Sequence, residues 1–212
     1  MVYPWETVNK IINIDNQRQN MSECASPTEP CSLLQEYTKF DQTLVRELSL
    51  PLTAHKIVNL SDFCVAILLD MQEVDLLETD DYLLSLKGKV GLYHLWVDAE
   101  ESCPVHNLHK MICVYVGKGL ACTRIKEHIR KKWPESETIY ITFFECENRI
   151  AKYLEQLFLD TYNFYLNVYE NTGIGYLYGL WDDHRHDNGT EIQVHGDILL
   201  ERLYPGLETE NY

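Results

Sequence analysis

At 212 residues the chain is long enough to bury a sizeable core, as one domain of ordinary size with an appendage or as two small ones. No apolar run approaches the roughly 18 uncharged residues of a membrane span, and residues 1–10 lack a basic segment followed by an apolar stretch. These features exclude a spanning helix and predict a soluble intracellular protein, cytoplasmic or nuclear, with no membrane partner. The net charge of −15 opposes general attraction to nucleic acid, because affinity for phosphate backbones comes from Lys and Arg.

Seven cysteines, an odd number at irregular spacings, argue for reduced thiols rather than a disulfide framework.

In chain order, residues 1–20 carry helical spacing in Trp5, Val8, Ile11 and Ile12, and residues 21–31, rich in Ser and Pro, read as a linker. Residues 33–48 repeat apolar side chains at helical intervals, with Ser32 as N-cap and Pro51 as the stop. Ser61-Asp62 is expected to cap a second apolar helix over 63–77, and 80–86 a third. The first 89 residues therefore read as a helical extension without catalytic residues, suited to packing or to docking a protein partner.

From Val90 the pattern changes to strands over 90–97, 111–116 and 138–144 and helices over 124–132 and 148–166, in the order ββαβα. Two strands in succession without a helical crossover predict an antiparallel hairpin. The expected division is an extension over 1–89, a mixed strand–helix domain over 90–179 and an acidic tail over 180–212.

The charge is distributed unevenly along this division. Residues 1–90 hold 7 basic against 14 acidic residues, 91–167 hold 9 against 10, and 168–212 hold 2 against 9. The middle segment is thus almost neutral, and its basic residues concentrate in Arg124, Lys126, Arg130, Lys131 and Lys132, a local patch able to meet a phosphate.

Chemistry concentrates in the same segment. Tyr93 and Tyr115 fall on the two hairpin strands, and Gly117, followed by Lys118 and Gly119, offers a turn where backbone can approach a phosphate. Arg124 and His128 stand four residues apart on one helix face. A guanidinium there can fork onto a phosphate, and an imidazole can protonate a leaving oxygen. Glu155 is an acid on an otherwise apolar helix, costly to bury unless paired or metal-bound. Asn167 follows it by twelve residues, with Asn171 as a rival.

The set Gly91-Leu92-Tyr93, Tyr115-Val116-Gly117, Arg124, His128, Glu155 and Asn167 resembles the GIY-YIG nucleases, over roughly residues 89–171. Asn171-Thr172 before Gly173-Ile174-Gly175 is similar to the eukaryotic ankyrin and LEM-domain endonucleases of that superfamily, although no ankyrin or LEM segment is expected within these residues. The resemblance implies an α+β fold with a small three-stranded antiparallel sheet flanked by helices. It implies a DNA endonuclease, acting on branched or restriction-type substrates and able to dimerise, in which Glu155 holds Mg²⁺ or Mn²⁺. Arg124 would grip the phosphate, Tyr93 and Tyr115 with Lys118 or His128 would manage the attacking water, and Asn167 would brace the site. Gly117, Lys118, Lys126, Arg130, Lys131 and Lys132 would contact nucleic acid. Two other readings stand beside it: a non-catalytic binding module of the same fold, and a nuclease autoinhibited by its acidic flanks.

One departure from the family is the long span between Tyr93 and Tyr115, which predicts an insertion in the hairpin. It contains Cys103, His106, His109 and Cys113, residue types of a zinc site, although Cys113 belongs to the second strand and is expected to point away from a loop. The other polar concentration, residues 182–187, reads as a solvated loop before the Asn188-Gly189 turn.

Overall fold

A computed structural model describes residues 24–48, 52–59, 61, 63–68, 81–132 and 138–188. The expected helix over 1–20 and most of the acidic tail lie outside these residues. The elements are α1 (Thr38–Leu48), α2 (Ala54–Val58), β1 (Phe63–Leu68), α3 (Asp81–Ser85), β2 (Val90–Cys103), β3 (Leu108–Leu120), α4 (Ala121–Lys132), β4 (Thr138–Glu145), α5 (Asn148–Thr161), β5 (Tyr178–Asp182) and α6 (Asp183–Asn188). The fold is α+β: one antiparallel sheet in the order β1-β4-β2-β3-β5, with helices on both faces. Among the described residues no helix is long and apolar enough to cross a membrane.

The ββαβα order from β2 to α5 agrees with the periodicity, and the hairpin is antiparallel as expected. Among the described residues, however, the sheet has five strands rather than three. β1 adds to the outer edge of β4, and β5 to the outer edge of β3. Residues 63–68 pair as a strand where a helix was expected, so the first 89 residues are not wholly helical. Phe63-Cys64-Val65-Ala66-Ile67-Leu68 is a short continuous apolar run, which helical and fully buried strand positions share; its aromatic and β-branched residues favour the strand. Similarly, β5 spans the expected boundary at 179, and residues 183–188 form a helix rather than a solvated loop.

Strand β2 runs through the middle of the sheet with residues 91–97 all buried. Leu92 and Trp96 face one core, shared with α1, α2 and α5; Tyr93, Leu95 and Val97 face the other, shared with α3 and α4. The expected hairpin insertion is taken up by longer strands: β2 and β3 extend beyond the sheet centre to a tight turn at residues 104–107. A buried ion pair between Lys110 and Glu101, at 2.7 Å, staples this extension together.

The outer edge of β5 is closed by side chains from the N-terminal part of the chain. Gln35 Oε1 accepts from Tyr178 N at 2.7 Å and its Nε2 donates to Tyr176 O at 2.8 Å, while Tyr37 donates to Tyr178 O at 2.6 Å. Asn59 Oδ1 accepts from Leu180 N at 3.1 Å. Backbone that would template another strand is thereby occupied. Arg185 of α6 reaches back to Asn59 O and, at 3.0 Å, to Ser61 Oγ, with its guanidinium over Trp181.

Two histidines lie in the first core. His94 is fully buried against Phe158 and Trp96, and neither ring nitrogen has a hydrogen-bond partner among the described residues. Burial lowers it from 6.5 to about 3, and His55, buried beside Arg185, falls to about 4. A folded pKa below the unfolded one means that the unfolded chain binds more protons, so stability is held above pH 6.5 and lost as pH falls toward the folded value. His186 works in the opposite sense. Asp98 raises it, so its contribution is present below 6.5 and fades as pH rises through its folded pKa. We expect a His94→Leu variant to lose about 2 kcal/mol less than wild type between about pH 7 and about pH 5, measured by urea unfolding at each pH.

Candidate active site

Alternation along β2 brings Tyr93 to the α4 face, and a bulge in β3 brings Tyr115 to the same face. Leu95 pairs with Tyr115 but Trp96 pairs with Cys113, leaving Val114 as an extra residue. Val114 and Tyr115 consequently both enter the core beneath α4, and Val114 O accepts from Leu166 N at 2.8 Å. The two phenol rings lie 6.1 Å apart.

Gly117 stands across from Tyr93. A Cβ at Gly117 would lie 2.5 Å from Tyr93 Oη and 2.7 Å from the ring of Tyr115, so a glycine is what allows both phenols to pack here. At Gly91 a Cβ would meet the Phe143 ring at 2.8 Å. Both motif glycines thus serve close approach.

On α4, His128 Nε2 lies 2.9 Å from Tyr115 Oη. Burial, with Lys132 and Arg124 nearby, lowers His128 to about 4, so the ring is neutral near pH 7. With its proton on Nδ1, Nε2 accepts from the phenol. The expected role as proton donor to a leaving oxygen does not suit such a ring. Burial also pushes Tyr115 up to about 12 and raises Tyr93 further, so both remain neutral phenols. Tyr93 Oη is buried, and the neighbouring Tyr115 hydroxyl adds to its upward shift.

Arg124 is half-exposed, pairs with Glu127 at 3.1 Å, and its charge acts on both phenols. Glu155 acts on both as well, in the opposite sense. Its carboxylate belongs to the α5 side of the sheet, where Lys118, directly opposite Leu92, forms an ion pair with Glu155 Oε2. The tyrosines and His128 thus lie on one face, Lys118 and Glu155 on the other, within electrostatic reach of one another.

Beside Glu155 opens a cleft of about 300 Å³ lined by Lys118, Arg149, Lys152, Tyr153, Gln156 and Glu170. Arg149 and Lys152 were missed in the sequence, although successive spacings of three residues, Arg149 to Lys152 and Lys152 to Glu155, make each a helix-surface neighbour of the next. Conversely, the expected basic patch on α4 is smaller than its sequence. Lys126 is buried, Lys131 pairs with Glu127 at 2.6 Å, and Lys132 turns inward over the Tyr115 ring to donate to Leu166 O. Arg124, Arg130 and Lys131 remain on the surface.

Asn167 and Asn171 are both used, for different purposes. Asn167 pairs with the backbone of Val116 in both directions, accepting at 3.0 Å and donating at 2.9 Å, and so fixes β3 between Tyr115 and Gly117. Asn171 organises residues 163–167 by accepting from Phe164 N and donating to Asn163 Oδ1, Phe164 O and Asn167 O.

The hairpin's expected zinc-type residues separate. Cys113 Sγ donates to Tyr115 O inside the sheet, and His109 meets Asp183 at 2.9 Å. His109 also stacks on His186, which bonds Asp98, Asp187 and Tyr140. The stacked rings and separate carboxylate partners make this a hydrogen-bonded network joining α6 to the hairpin.

No family model, curated protein or solved structure matches the chain.

Replacing Gly117 with Ala is expected to cost about 1–3 kcal/mol, because the rings it would strike are rigid and enclosed. Adding Tyr93→Phe removes the nearest atom but leaves Cζ at 2.6 Å, so chemical denaturation of the double variant should show only partial recovery.

Proposed function

We propose that the protein is an endonuclease that hydrolyses DNA phosphodiester bonds through a GIY-YIG site. The observation that carries this reading is the Tyr93 and Tyr115–His128 cluster beside the glycine-dependent approach of β2 and β3, with the charges of Arg124 on its own face and of Glu155 on the opposite face of the sheet both within electrostatic reach of the phenols.

Glu155 suits a hard divalent cation. It is a mostly buried carboxylate at a cleft, and the Lys118 ammonium on its Oε2 marks it as a cation acceptor. Mg²⁺ or Mn²⁺ held there would supply a Lewis acid for the phosphate and its attacking water. Arg124 forks onto the phosphate and stabilises charge that develops in the transition state. Tyr115 orients the water, its own proton directed at His128. Lys118, Arg149 and Lys152 hold the neighbouring backbone in the cleft. Asn167 keeps Tyr115 and Gly117 in place through Val116.

A binding module of the same fold is the competing reading, favoured by the Lys118–Glu155 pair, which already satisfies the carboxylate, and by the small exposed basic surface on α4. Autoinhibition would require the acidic flanks, most of whose acidic residues lie outside those described.

Supercoiled, branched and single-stranded DNA incubated with Mg²⁺, Mn²⁺ or EDTA separates the readings. We expect metal-dependent nicking that falls by about 10²–10³ in Arg124→Ala and at least as far in Glu155→Ala, with a smaller loss in His128→Ala. Wild-type protein inert on every substrate, or nicking unchanged in Glu155→Ala, would overturn the enzyme reading. Retained DNA binding without cleavage would point to the module.

A further inference from the structure

We propose that Cys24, Cys31, Cys103 and His106 bind Zn²⁺ in a closed Cys₃His centre that clamps the loop before α1 onto the tip of the β2–β3 hairpin. Neither half is a recognisable motif by itself. Cys24 and Cys31 lie seven residues apart in irregular chain, while Cys103 ends β2 and His106 sits in the turn that follows. The fold brings them together: the three sulfurs and one imidazole nitrogen all lie within 4.8 Å of one another. Cys24 Sγ is 4.0 Å from Cys31 Sγ, and Cys103 Sγ is 3.3 Å from His106 Nδ1. Tetrahedral zinc with its usual bond lengths to sulfur and nitrogen sets ligand-to-ligand edges of roughly 3.5–3.8 Å, so small adjustments suffice.

The surroundings select the ligating atoms. His106 Nε2 lies 2.8 Å from Glu29 O, a carbonyl that can only accept. The ring proton therefore resides on Nε2, and the bare Nδ1 lone pair is aimed at the thiols, the outer-sphere arrangement that orients zinc-bound histidines. Ser32 N donates to Cys24 Sγ at 3.3 Å, which favours a thiolate. Cys31, Cys103 and His106 are each nearly inaccessible, packed with Leu108 and Leu180. Three sulfurs and a nitrogen match the preference of Zn²⁺. With four protein ligands no position is left for substrate, so the centre is structural.

Binding is charge-balanced without a redox partner: Zn²⁺ displaces the protons of three thiols, leaving a centre of net charge −1. Its effect on the fold follows from position. The clamped loop leads into Gln35 and Tyr37, which close the edge of β5, so the metal fixes both the hairpin extension and the segment sealing the sheet.

Elemental analysis of the purified full chain after dialysis tests this. We expect about one zinc per chain, and on replacement by Co²⁺ the charge-transfer and ligand-field bands of tetrahedral thiolate coordination. Cys31→Ser and Cys103→Ser should each lower zinc affinity by roughly a hundredfold or more. His106→Cys should retain the metal, and so should Cys122→Ser and His109→Ala, with circular dichroism confirming folding. Wild-type chain that binds neither Zn²⁺ nor Co²⁺ stoichiometrically would overturn the proposal. So would a Cys24–Cys31 disulfide in freshly purified protein, or zinc undiminished in Cys103→Ser. These readouts involve no DNA, so their outcome is independent of cleavage.

Discussion

The structure depends on a strand buried on both faces. β2 has neighbours on either side and helices above and below, so successive residues must satisfy two different cores. Sliding β2 by one residue would exchange Tyr93 with its neighbours across the sheet, placing Leu92 or His94 beneath α4. The register is therefore fixed by apolar packing on both sides at once, and the tyrosine inherits that precision. Its polar neighbours follow: Gly117 makes room for its ring, and Asn167 holds the strand on which Gly117 lies.

A core that tight requires protected edges. On the β5 side, protection comes from single side chains far away in sequence: Gln35, Tyr37 and Asn59 act as a substitute strand, and Arg185 ties the same corner to Ser61. These contacts make the N-terminal segment and α6 parts of the sheet's architecture. The His109–His186–Asp98 network adds a second attachment for α6, one whose strength depends on protonation.

How much of this was legible in the sequence depended on whether the information was local. Periodicity located β2, β3, α4, β4 and α5, because their apolar faces repeat over many residues. It failed at residues 63–68, where a run of six apolar side chains fits either a buried helix or a strand and the partner that decides, β4, lies some 70 residues away. It failed again at α6, since the burial of Arg185 is determined by Asn59 and Ser61 rather than by its polar neighbours. Among the candidate site residues, types and spacings were visible but states were not. Nothing in the spelling of Arg124-x-x-x-His128 reveals that the imidazole is buried against Tyr115 and neutral, or that Lys126 and Lys132 turn inward.

The bulge at Val114 has a consequence for how this hairpin can vary. Strand alternation is a parity rule: each residue added or removed inverts the facing of everything beyond it. Val114 is a one-residue phase slip, so the turn end of β3 and the tyrosine end keep separate parities. Met111 and Cys113 can face α5 while Tyr115 and Gly117 face α4, an assignment that an unbroken strand could not make. Deleting that single valine would force one end to surrender its facing, setting the demands of the hairpin tip against those of the phenols.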